Sequence, residues 1–248
     1  QFEHLLGMAM QWIKNDGADE QSRLMAVAGL QCFGVACEVR SARMAKHMNV
    51  INDMIIERFH DRTIHWEVMY NSMVVLEKSV KLWTSSTSVL LPHLVACLMH
   101  EHAWVRAASS RVIGNALAMT SVTAGTLGKS DAIFQLLRNV CHQFKFEDLH
   151  DDAAQQAMQT LVRVCGLLCS DKDRRVGAKS KAQEEKDPIS WVFQRLSFCS
   201  RQMQTKAIFA RRGILQFFIS MANAHPDVAK TSLHSVLSLL LRDNIYNQ

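Results

Sequence analysis

The sequence predicts an all-α fold, a solenoid of antiparallel helix pairs stacked side by side. Three observations carry this expectation. Only three Pro and ten Gly interrupt 248 residues, too few breakers for the turns of an all-β chain. Apolar residues make up 48% of the chain, ample for a core, and they recur at helical spacing in one segment after another. Trp66-Glu67-Val68 is echoed by Trp104-Val105-Arg106, 38 positions later (104 − 66). That spacing suits one helix pair of a repeat array, and the chain accommodates about six pairs of ~40 residues.

The elements follow in order. Residues 2–14 carry Leu5, Leu6, Met8 and Trp12, and Asn15-Asp16-Gly17 breaks the helix. Residues 21–39 and 43–60 read as a pair. The first is rich in small residues (Ala26, Ala28, Gly29, Gly34, Ala36) that admit a close neighbour; the second places Val50, Met54, Ile55 and Phe59 at near-helical spacing. A helix from Trp66 sets Trp66, Tyr70, Met73 and Val80 on one side. After the polar turn 84–88, Val89, Leu90, Leu91, Leu94, Val95 and Leu98 form an apolar helix, with Pro92 tolerated near its first turn.

The organising segment is His100–Asn115. A polar start leads into Trp104-Val105-Arg106 and the small pair Ala107-Ala108; Val112, Ala116 and Met119 extend the face. A helix this narrow on its inner side lets a second helix settle into its grooves. The segment resembles the first helix of a HEAT repeat, where a Val-Arg pair precedes small residues. Its partner, residues 131–144, presents Ile133, Leu137, Val140 and Phe144. Asp151-Asp152 suit the positive end of a further helix with Ala154, Met158, Leu161, Cys165 and Leu168 inward.

Residues 170–187 read as a charged, mobile linker: Asp171 to Asp187 holds eleven charged residues and no aromatic. It divides helical repeats over 1–169 from helices over 188–248 that continue the solenoid. Asp187-Pro188 is an N-cap followed by Pro at the first helical position, and helices are expected at about 189–203, 205–222 and 226–241. No run of ~18 uninterrupted apolar residues is present, so no membrane span is expected.

Few residues suggest chemistry. Gly125-Thr126-Leu127-Gly128-Lys129-Ser130 looks like the end of a phosphate loop, but Thr123 stands where the first Gly belongs and a helix precedes it. His100-Glu101-His102 spaces its histidines two apart, onto different helix faces, and reads as a helix entrance. His60 and His65 straddle a turn with no Cys nearby. The seven Cys, an odd number in apolar stretches, read as reduced core thiols, Cys165 and Cys169 included. Ordinary enzyme signatures are absent, so no catalytic residue, metal ligand, cofactor or small-molecule substrate is expected.

One asymmetry in charge stands out. Between Pro188 and Pro226 lie Arg195, Arg201, Lys206, Arg211 and Arg212 with no Asp or Glu among them; these five equal the formal net charge of +5. Arg174, Arg175, Lys179 and Lys181, with Lys172, form a second basic group in the linker. These are candidate contacts for RNA backbone or an acidic partner. Arg211 and Arg212 lie ~100° apart on a helix and so face differently.

Asp187-Pro188-Ile189-Ser190-Trp191-Val192-Phe193-Gln194-Arg195-Leu196-Ser197, then a basic helix, then a closing helix at Leu237–Asn244, resembles the late region of the U-three small nucleolar RNA-associated protein twenty family, also called down-regulated in metastasis. His102-Ala103-Trp104-Val105-Arg106 with Ala-Ser-Ser-Arg is similar to it too. The resemblance spans roughly residues 90–245. It implies a C-terminal fragment of a very large HEAT-repeat scaffold of the small-subunit processome. Such a protein sits in the nucleolus of the nucleus, in a large complex, and binds pre-ribosomal RNA and assembly proteins during rRNA processing. The alternative is a protein-only HEAT or armadillo adaptor in transport or signalling.

Overall fold

A computed structural model describes residues 1–14, 19–61, 63–83, 87–119, 130–175, 188–202 and 207–230. Among them every regular element is helical and no strand occurs, as the scarcity of breakers requires. The helices are α1 (Phe2–Lys14), α2 (Glu20–Val39), α3 (Ser41–Met44), α4 (Met48–His60), α5 (Trp66–Ser79), α6 (Thr87–Cys97), α7 (Ala103–Met119), α8 (Ser130–Gln143), α9 (Asp151–Arg175), α10 (Pro188–Gln202) and α11 (Ile208–Ala224). Residues 226–230 are also helical.

Two compact units result, Gln1–Met119 and Thr120–Gln248. The expected linker over 170–187 falls within the second of them. It also starts too early, because α9 runs unbroken to Arg175. The residue types explain this: Lys and Arg are good helix formers, and the charged tail Asp171–Arg175 contains no Gly or Pro. Residues 176–187 and 120–129 lie outside the described residues, and with them the rest of the expected linker and the Gly125–Lys129 loop.

In the first unit, α2 packs on α1 and α5, α5 packs on α7, and α4 and α6 pack on each other; α4 also meets α5, and α6 also meets α7. Alternate helices thus lie side by side. The small residues of α2 permit this: Ala26, Gly29 and Gly34 are buried, together with Leu30 and Phe33. By length and composition α2 would suffice to cross a membrane; here one side of it is buried against α1 and α5, while Leu24, Met25, Val35 and Val39 are exposed. Asp19 caps it, accepting from the Ser22 backbone N–H at 2.9 Å and the Ser22 hydroxyl at 2.6 Å.

On α7, Val105, Ala108 and Val112 are buried, as their spacing predicts, while Trp104 is exposed. The Ser109 hydroxyl donates to the Leu94 carbonyl at 2.6 Å, a bond that only a close approach of α6 and α7 permits. Arg106, itself buried, donates from Nη1 to the carbonyls of His100 (2.9 Å) and Glu101 (2.7 Å). The Arg of the Val-Arg pair therefore holds the turn before its own helix. Arg58 does similar service on α4: its guanidinium donates to the Met54 carbonyl at 2.9 Å and to the Ile13 carbonyl near the end of α1, where helix carbonyls lack internal partners.

The sequence misplaced several faces. On α4, Met48, Ile51, Met54, Ile55 and the aliphatic stem of Arg58 turn inward, whereas Val50 is exposed. On α5 the buried line is Val68, Met69, Met73 and Leu76, and Trp66 and Tyr70 are only half-buried. Val89 is exposed on α6, and Leu168 is half-buried on α9.

In the second unit, α9 packs on α11, α8 packs on α10, and the two rows meet through α8 with α9 and α10 with α11. Ile133, Leu137, Val140 and Phe144 are buried, as expected. Phe193, Phe217 and Phe218 form an aromatic core with ring centroids 5.4 to 5.7 Å apart. Gly213 lets α11 approach: a Cβ there would lie 2.8 Å from Phe144 Cε1 and 3.3 Å from the Ala154 carbonyl oxygen.

Candidate nucleic-acid interface

α8 and α10 each have an inner apolar face, which fixes what the outer face displays. With Ile133, Leu136, Leu137 and Val140 inward, α8 turns Phe134, Arg138, His142 and Lys145 (just past its end) away from the core. They stand four, four and three residues apart, so they form a stripe. With Ile189, Val192, Phe193 and Leu196 inward, α10 leaves Trp191, Arg195 and Phe198 outward at the same kind of spacing. Arg138, Lys145 and Phe198 are exposed; Phe134, His142, Trp191 and Arg195 are half-buried.

The two stripes make one patch. The Phe134 and Trp191 rings meet edge to face, 6.2 Å between centroids. Arg195 holds its guanidinium over the Phe198 ring at 5.9 Å, and its charge reaches across to Cys141 and His142 of α8. The His142 ring lies edge to face with Phe146 at 5.3 Å. Its pKa is held below the ordinary imidazole value by partial burial first, then by Lys145 and Arg195. α10 contains no carboxylate, and α8 contains only Asp131 in its first turn. Glu147 and Asp148 follow Lys145 in an exposed loop. Cations and rings therefore alternate over a face almost free of opposing charge. That is the composition a nucleic-acid strand requires: charge for phosphate and π-surfaces for bases.

Of the nine expected contact residues, the structure places Arg195 at the centre of this patch. Arg212 has different surroundings: it is exposed on α11 and its Nη1 lies 3.5 Å from Asp151 Oδ2 of α9. Arg211, its neighbour, is half-buried, in keeping with their ~100° separation. Arg201, Arg174 and Arg175 have helical backbone, but their side chains lie outside the described residues, as do Lys206, Lys179 and Lys181 entirely. Sequence reasoning missed Arg138, His142, Lys145 and the outward rings of Phe134, Trp191 and Phe198. The signal was present as a helical stripe complementary to the core stripe, but a count of charge between two prolines does not detect it.

Three histidines serve as helix caps, His65 and His102 of those noted in the sequence among them. His65, His102 and His150 each precede a helix, and each accepts through Nδ1 from a backbone N–H in its first turn, at 3.3 Å (Glu67), 3.4 Å (Trp104) and 3.3 Å (Ala153). The His102 ring also stacks on Trp66, centroids 3.8 Å apart and planes within 5°. Six of the seven thiols are buried, Cys165 and Cys169 among them. Burial pushes Cys97 up to about 12 and Cys37 up to about 11, and holds Cys141 well above the usual thiol range. Such thiols are packing groups. Among the described residues no group of three or more His, Cys, Asp or Glu is arranged to hold a metal ion.

A cleft of about 550 Å3 in the first unit is lined by Cys37, Glu38, Glu77, Lys78, Lys81 and Asn115 among others. Its charges are engaged with one another and with α7: Lys78 pairs with Glu38 at 3.1 Å and Arg111 with Glu77 at 3.2 Å. It offers far less unbalanced charge than the α8–α10 face.

No family model matches the chain, and no curated protein matches it. Among solved structures it is similar to the crystal structure of an engineered protein, at 14% identity and a TM-score of 0.46, covering 93% of this chain and 98% of that one.

Proposed function

We propose that this chain is a helical-repeat scaffold that holds RNA on the outer face of α8 and α10. The observation that carries the reading is the alternation of Arg138, Lys145 and Arg195 with Phe134, Trp191 and Phe198 on one nearly acid-free surface. The repeat character is supported by two features. Alternate helices pack on one another within each unit, α2–α5–α7 in the first and α9–α11 and α8–α10 in the second. α5, α7 and α9 also begin alike, with a histidine cap. An array of this kind binds by presenting side chains at fixed spacing on a surface that neighbouring helices support. The sequence resemblance described above suggests the setting, a nucleolar small-subunit processome engaged in ribosome assembly.

The test is RNA affinity measured at several salt concentrations for the parent and for a variant carrying Arg138→Glu, Lys145→Glu and Arg195→Glu, with folding followed by thermal melting. Phosphate contacts release counterions, so the variant is expected to bind more weakly and with a shallower salt dependence. Equal affinity and equal slope for the two proteins would remove the RNA reading. In that case, retained dependence of an acidic protein partner on the same three residues supports the adaptor alternative.

A further inference from the structure

The α8–α10 face contains more ring surface than phosphate binding requires. Arg138, Lys145 and Arg195 alone would serve a duplex, whose bases are stacked inside and whose outer surface is sugar and phosphate. Phe198, however, is 46% exposed, a large apolar ring turned to solvent on the solvent side of α10. Phe134 and Trp191 stand half-buried farther along the same stripes, in edge-to-face contact with each other. A ring so placed gains a partner only when a base face is accessible, which happens in an unpaired strand.

We infer that the α8–α10 face recognises a single-stranded stretch of RNA, with Phe198 stacking on a base while Arg195 beside it holds the phosphate. This rests on the RNA reading above and makes it specific. The geometry gives each partner its place. Arg195 and Phe198 are three residues apart on α10, about one helical turn, and the guanidinium lies over one side of the ring at 5.9 Å. The cation and the π-face thus reach one nucleotide together. Trp191 lies seven residues before Phe198 on the same stripe, about 10 Å along the axis, so a second ring lies farther along the strand path. On α8, Arg138 and Lys145 are likewise seven residues apart and run alongside. The resulting track has charge on α8 and mixed charge and rings on α10. It would bind without strong sequence preference, because every base has a π-face.

The experiment uses the full chain and two labelled probes, an unstructured oligouridylate of about 12 nucleotides and an RNA duplex of about 12 base pairs, lengths within the site sizes of known stacking platforms. Four proteins are compared: the parent, Phe198→Ala, Phe198→Trp and the triple charge reversal. The parent is expected to prefer the single strand. Phe198→Ala is expected to weaken single-strand binding about tenfold, leaving the salt slope and duplex binding in place. Phe198→Trp is expected to retain tight single-strand binding. Because Phe198 faces solvent, the substitutions should leave the melting temperature nearly unchanged, which a thermal scan checks. Phe198→Ala without effect, or with an equal effect on both probes, overturns the stacking inference while the RNA reading stands on the charge reversal. Charge reversal without effect on either probe overturns both.

Discussion

Gly29 of α2 and Ala9 of α1 meet backbone to backbone: a Cβ on Gly29 would lie 2.7 Å from the Ala9 carbonyl oxygen and 2.9 Å from Ile13 Cγ1. The carbonyl belongs to a helix and cannot yield as a flexible side-chain end would. Gly29→Ala should therefore destabilise by about 1–3 kcal/mol, despite the better helix propensity of Ala. Gly7 is the internal control. It lies exposed in α1, and a Cβ there meets nothing within 4 Å. Gly7→Ala should stabilise by up to about 1 kcal/mol. Urea unfolding of the two variants against the parent checks the opposite signs; a stabilising Gly29→Ala would show that α1 and α2 can part there at no cost.

Val105 is fully buried on α7. Val105→Asp places a carboxylate in that core, and several kcal/mol of stability should be lost. Thermal melting of parent and variant decides, and an unchanged midpoint would mean that the side chain reaches water.

Much of the core was legible because helical spacing repeats faithfully where one face is buried and the other wet. Val105, Ala108 and Val112 follow this pattern, as do Ile133, Leu137 and Val140. The reading failed where both faces carry apolar residues. On α4, Val50 is exposed while Ile51 is buried, and with Met54 and Ile55 both inward the pattern does not reveal which side Val50 takes. Spacing set Trp66 and Tyr70 on one side with Met73 and Val80, but their rings lie in the first part of α5, half-buried among other rings such as His102 and Trp104. The candidate site was legible only in Arg195. Its companions on the α8 stripe are 50 to 61 positions away in sequence, and packing of α8 on α10 is what unites them.

His142 offers a test by pH. Its pKa is depressed, so at neutral pH it is uncharged and contributes no cation to the patch. A depressed value also means that the folded state resists protonation, so stability declines as pH falls below the ordinary 6.5. Bound phosphate favours the imidazolium, however, so RNA binding should take up a proton and tighten as pH drops through that range. Affinities at about pH 7.5 and about pH 5.5 test this, with His142→Gln expected to flatten the difference. A parent whose pH response matches that of His142→Gln would place the imidazole outside the contact.

Cys32 is exposed on α2, and the other six thiols are buried. Native protein treated with a small alkylating reagent should be modified once, at Cys32, and the remaining six should react only after unfolding. Mass spectrometry before and after denaturant reads the count. Rapid modification of Cys141 or Cys165 in the native state would show that the second unit opens readily.

The placement of the division after Met119 has a consequence for how the chain is made. Every packing partner described for α1 through α7 lies within Gln1–Met119. From Met119 to Pro188, where α10 begins, is 69 residues (188 − 119), which the ribosome adds in roughly 3–14 s at ordinary elongation rates. Helix packing between near neighbours in sequence takes far less time than that. The unit Gln1–Met119 is therefore able to settle as soon as it clears the exit tunnel, and the face of α8 and α10 is completed later, when α10 emerges beside an α8 already made.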